Sequence, residues 1–188
     1  MDAFQTLGRI GFVWNVKHFR RFDHLAHVAK MVHARYHGAD YALIDDDDTH
    51  NLMPTEGLNY FLDTSIRNQA QLTAWYIAIT EGVSWTPAIT DTALNVVGNS
   101  TESTAYTESV RQTYTVVAAA AGVLTNAASP AVFTINATKT IYGGFISSAS
   151  AKSATTGKIS SAALFSSSKA VASTDVLSIT ATITLTTS

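Results

Sequence analysis

His33 and His37 stand four residues apart, so on a helix they share a face and could open a zinc or nickel site. The glutamate that a metalloprotease helix carries between its histidines is missing, and no third ligand stands out, so the pair reads as surface or interface histidines. Asp45, Asp46, Asp47 and Asp48 form a run of four acids. Asp45, Asp47 and Thr49 alternate, and Glu56 falls where the twelfth ligand of a calcium loop would. His50, however, occupies the place of the required glycine, and Pro54 intrudes before the last ligand. Like charges in sequence repel and solvate, so the simpler expectation is a loop, with no metal and no cofactor.

The sequence carries no nucleophile elbow, phosphate-cradling glycine loop or dinucleotide fingerprint. Acids after residue 72 are too few and scattered for a glycosidase pair. The expectation is therefore no catalytic residues and no enzyme. Asn99-Ser100-Thr101 and Asn136-Ala137-Thr138 match the glycosylation acceptor pattern but read more simply as turn residues.

The elements that would position these groups fall into two unlike segments. All six histidines and half of the basic residues (Arg9, Lys17, Arg20, Arg21, Lys30, Arg35) lie in the first fifty positions, whereas Ser, Thr and Ala dominate from about residue 72. Residues 1–53 are expected to form an N-terminal arm, partly helical or extended, and 54–188 a β-sandwich domain. In the arm, Phe4, Phe12, Trp14 and Phe19 are spread among basic residues without a settled period. With Arg20 and Arg21 they are the types enriched at interface centres, so these six are the candidate contact residues. Such an arm could be removed without unfolding the domain. Residues 22–38 read as a helix or, by their rough alternation at 28–36, as a strand.

Residues 54–67 predict one short helix that closes an end of the sheet structure. Thr55 is its cap, Glu56 sits in its first turn, and Leu58, Phe61, Leu62 and Ile66 form its apolar face. After an apolar run at 72–80 comes an irregular stretch at 81–97. Strands are then expected within 104–117 and at 131–136, 140–147, 159–165, 169–172 and 176–188, with turn signals between them. Gly143-Gly144 marks a bulge or a close backbone approach. The last run alternates cleanly: Leu177, Ile179, Ala181, Ile183 and Leu185 against Ser178, Thr180, Thr182, Thr184 and Thr186. One apolar and one hydroxyl face suit an antiparallel sheet over a core, so the fold class is mainly β, a sandwich or barrel.

At 188 residues the chain can bury one good core. A formal charge of −2 and a pI near 6.3 give no reason to expect nucleic acid or an anionic membrane as partner. The absence of cysteine excludes disulfides and thiolate chemistry. No apolar run approaches the length of a membrane span, and residues 1–14 make a poor signal peptide, so the expectation is a protein made in a cytoplasm.

Several stretches resemble a family of tailed-bacteriophage virion structural proteins. They are Asn51-Leu52-Met53-Pro54-Thr55-Glu56-Gly57-Leu58-Asn59-Tyr60-Phe61-Leu62-Asp63, Trp75-Tyr76-Ile77-Ala78-Ile79 and Phe133-Thr134-Ile135-Asn136-Ala137-Thr138. Thr140-Ile141-Tyr142-Gly143-Gly144-Phe145, Lys152-Ser153-Ala154-Thr155-Thr156-Gly157 and the closing 175–185 segment continue the likeness. Family members more often have glycine at Ala78, and the first fifty residues match less clearly. The resemblance implies a capsid cement or head decoration protein with a jelly-roll core. It would bind between major capsid protein subunits on the exterior of the virion, as a homo-oligomer and without catalytic residues. A tail or head fibre module that touches the host surface is the alternative.

Overall fold

The computed structural model describes residues 9–21 and 41–186. In chain order the strands and helices are β1 (Arg9–Arg21), β2 (Tyr41–His50), α1 (Thr55–Ile66), β3 (Tyr76–Thr80) and α2 (Ala93–Ser100). Then follow β4 (Gln112–Thr113), β5 (Val123–Thr125), β6 (Ala131–Thr134), β7 (Lys139–Ser147), β8 (Ile159–Val171) and β9 (Val176–Thr186). The chain is mainly β, with two antiparallel sheets. One sheet runs β2-β1-β9, with the short strands β5 and β6 lying end to end along the far side of β9. The other runs β4-β3-β7-β8.

The core lies between the sheets. Trp14 and Val16 from β1 and Leu177, Ile179 and Ala181 from β9 meet Ile77, Ile79, Ile141, Ala163, Phe165 and Val171 from the other sheet. The alternation read in 176–188 does what was expected of it as far as Ala181, burying Leu177, Ile179 and Ala181, while Ile183 is half-buried and Leu185 exposed. Sheet β4-β3-β7-β8 is covered on its outer face as well, where Trp85, Ala93 and Val96 pack on Ala78, Phe145, Ile159 and Ala162. Burial on both faces explains why Tyr76–Thr80 reads as a continuous apolar run. The β7–β8 register shifts between Ile141 and Gly143, and a side chain at Gly144 would meet the Trp14 ring at 2.8 Å. The close approach expected there is the seat of the largest core side chain.

Residues 9–21 are not an arm. β1 is an interior strand, paired with β9 from Arg9 to Phe19 and with β2 from Val13 to Arg21. Trp14, Val16 and His18 face inward on alternate positions, so the segment has a strand period that scattered basic residues obscure. The four acids are not a loop either. They lie in β2, where period two sends Asp46 and Asp48 outward to Asn15 and Asp45 and Asp47 inward to β8. A boundary at residue 53 thus cuts through the sandwich. The helix-or-strand segment at 22–38, His33 and His37 included, lies outside the described residues.

Where one helix was expected, the described residues hold two. α1 is capped by Pro54 rather than Thr55, with no side-chain cap bond. α2 falls in the stretch read as irregular. Asn95 Oδ1 accepts from the Thr92 N–H at 2.6 Å, closing a capping box with Asn in place of the usual Glu or Gln. The two strands expected at 159–165 and 169–172 are one strand with a pairing gap at 165–168, opposite Tyr142. No described helix is long and apolar enough to cross a membrane.

Candidate docking surface and buried ionic centres

α1 lies against β8 through its smallest residue. A side chain at Gly57 would meet the Ile159 carbonyl oxygen at 2.7 Å, and Glu56 Oε2 accepts from the Ile159 N–H at 2.9 Å. That contact turns the apolar row of the helix away from the core. Leu58, Phe61, Leu62 and Ile66 are exposed, Ile66 to 79 %. The face expected to close the sandwich instead meets solvent.

Next to it the apolar row of β9 leaves the core. Ile183 and Leu185 line a cavity of about 230 Å³ with Met53, Phe61, Ala119, Gly122 and Leu124. A second hollow of about 170 Å³ shares Met53, Phe61, Leu124 and Ile183 and reaches Tyr60, Trp75 and Tyr114. The two hollows share four lining residues and form an apolar groove between α1 and the end of the β9 sheet.

Of the six candidate contact residues, none of Trp14, Phe19, Arg20 and Arg21 lines this groove. Trp14 is wholly buried and offers no surface. Arg20 lies 3.3 Å from the buried Asp175 carboxylate, which also holds His18 Nε2 at 2.8 Å. This knot fixes the turn between β8 and β9, where Asp175 also accepts from the Ala172 N–H. Phe19 is half-buried and Arg21 exposed at the end of β1. Phe12 is placed by its backbone opposite Ile183, and Phe4 lies outside the described residues. Trp14 and Arg20 show that the residue types that anchor interfaces also build cores and buried ion pairs.

Two ionic centres went unread in the sequence. Arg111 is fully buried and grips Glu102 with both faces of its fork, Nε to Oε1 at 2.9 Å and Nη2 to Oε2 at 2.6 Å. It also donates to the carbonyls of Ala149 and Ala154 and lies 5.1 Å from the centre of the Phe145 ring. Lys152 caps the same region, 3.6 Å above the Tyr106 ring, and burial pushes its ammonium below the usual lysine value. Together these contacts pin the 148–158 loop.

The second centre is Lys169, with its side chain fully buried. Its Nζ lies 2.5 Å from Asp45 Oδ2 and 2.9 Å from Asp47 Oδ2. Ser166 Oγ donates to Asp47 Oδ1, and the Ser167 N–H donates to Asp47 Oδ2 at 3.2 Å. Burial raises the Asp47 carboxyl, but the bonds from Ser166, Lys169 and Ser167 outweigh it, holding its pKa below the usual carboxylate range. Below this centre Thr49 Oγ1 donates to the Leu164 carbonyl at 2.6 Å, and Leu52 bridges Ala162. β2 thereby links the edges of the two sheets. The one sequence signal was Lys169 two positions before Val171 on the inward row of β8.

Among the described residues no group of three His, Asp or Glu side chains could hold a metal ion. Comparison with known protein families, with characterised proteins and with solved structures returned no match.

Proposed function

We propose that this chain is a virion structural protein that cements or decorates a bacteriophage head, binding between major capsid protein subunits on the capsid exterior as a homo-oligomer. The observation that carries this reading is the apolar groove continuous with the exposed face of α1. A face of this kind favours contact with another protein, because covering it removes apolar area from water without any rearrangement of the sandwich. The residues that shape it, Met53, Gly57 and Phe61, belong to the longest stretch that resembles the phage family. The finer reading of the core as a jelly roll is supported by β9 lying between the first strand and β6, so that the last strand closes the sheet the first one began.

Attachment to undecorated heads tests the proposal. Leu62→Ser with Ile66→Ser leaves the circular dichroism and thermal midpoint close to those of the parent, because both side chains already meet water. The same change weakens head binding by about 30-fold or more, the scale of losing central interface contacts. Unchanged binding removes this face from the account. A copy number comparable to the capsid protein fits cementing, and tens of copies or fewer point to a fibre.

A further inference from the structure

We propose that Lys169 and Asp47 condense to an intramolecular isopeptide bond that welds β2 to β8, with Asp45 as the proton carrier. The inference does not depend on the capsid reading. A lysine on the inward row of a sandwich, opposite Ile141 and two positions from Val171, is costly unless its charge is matched or removed. Here Nζ is held within 2.9 Å of an Asp47 oxygen, and Asp45 Oδ2 touches the same nitrogen at 2.5 Å. The nucleophile, the carboxyl carbon it would attack and a proton acceptor are thus already assembled. Positioning of this kind corresponds to effective molarities on the order of 10⁵–10⁸ M, enough to drive a condensation that fails between free groups in water.

The step is redox-neutral and needs no co-reactant. The Lys169 ammonium gives a proton to Asp45, Asp45 passes it to Asp47 Oδ2, and the freed lone pair attacks Cγ of the Asp47 carboxyl once it is neutral. The Ser166 hydroxyl and the Ser167 N–H, which now hold the carboxylate, hold the two oxygens of the tetrahedral intermediate. The bond from Cγ to Oδ2 breaks. Of the three ammonium protons, one stays on the new amide nitrogen. The other two leave with Oδ2 as water, one of them by way of Asp45, which is returned unchanged. Oδ1 remains as the amide oxygen and accepts from Ser166. Burial of Nζ keeps bulk water from reversing the reaction. The product covalently ties β2 to β8, the outermost strands of the two sheets on that side among the described residues.

The experiment is intact-mass spectrometry of the denatured full-length chain, followed by peptide mapping. The expected result is a mass short of the sequence value by one water, with a branched peptide joining Asp47 to Lys169. Lys169→Arg keeps the charge but cannot condense in this way, so it shows the full mass. Asp45→Asn slows the condensation by at least tenfold after refolding. A wild-type chain at full mass after prolonged incubation in the folded state overturns the proposal, and so does a water loss that maps elsewhere. An Asp45→Asn chain that condenses as fast as the parent overturns the role given to Asp45. The wild-type measurement decides even if a variant fails to fold.

Discussion

Arg111 and Glu102 are almost without solvent contact, and each leaves the other uncompensated if removed. The pair also carries the 148–158 loop, since Glu102 Oε2 accepts from the Ser153 N–H and Arg111 reaches the carbonyls of Ala149 and Ala154. Arg111→Met is therefore expected to destabilise the fold by about 3–5 kcal/mol, the cost of stranding a buried charge. Adding Glu102→Leu should restore much of the loss, because replacing both partners leaves no charge to strand. Urea midpoints of the two variants check this. A double variant no better than the single one would mean the loop carbonyls, not the charge, dominate. None of this was legible in the sequence, where Glu102 and Arg111 stand nine residues apart in a stretch with little regular structure.

Among the elements, β1 differs most from expectation. It separates β2 from β9 and supplies Trp14, whose ring fills the space that Gly144 leaves open. Deleting residues 1–48 removes β1 and most of β2, uncovers the β9 edge and empties the core of Trp14 and Val16. The expected outcome is loss of the folded state, seen as a collapsed β signal in circular dichroism and no cooperative melt. Loss of Trp14 alone is on the scale of about 3–5 kcal/mol, and domains of this size have only about 5–15 kcal/mol in hand. A deletion product that melts cooperatively would return these strands to the status of a detachable arm. The period of β1 was hard to see because Asn15, Lys17 and Arg20 find partners in β2 and at Asp175, positions that only a folded sheet brings near.

For the whole molecule, titration sets a window of stability. Burial raises the Tyr106 hydroxyl well above its ordinary value and pushes that of Tyr114, which donates to the Ala181 carbonyl at 3.0 Å, up to about 12. A raised pKa favours the neutral folded form. The associated stability is complete below the unfolded value of about 10 and is lost as pH climbs through the folded one. At the acid end the Asn15 side-chain amide, aided by Lys17, holds Asp46 below the usual carboxylate range. Its contribution is present above about pH 4 and fades as pH falls further. The expected alkaline transition is cooperative, with tyrosinate absorbance from these two rings appearing only as the β signal is lost. A Tyr114→Phe chain should keep its fold to higher pH, and an unshifted transition would count against the buried hydroxyl as its cause. By itself the sequence determined the mainly β class, most strand positions after residue 130, the short helix within 54–67 and a close backbone approach at Gly143-Gly144. Alternation and turn chemistry are local, and each strand carries them whatever its neighbours. Only the tertiary structure decided that β1 belongs inside a sheet, that four acids divide between two faces, and which apolar row stays uncovered. Those outcomes depend on partners more than a hundred residues away, such as Lys169 for Asp47 and Ile159 for Glu56, and no local pattern encodes which distant side chain will arrive.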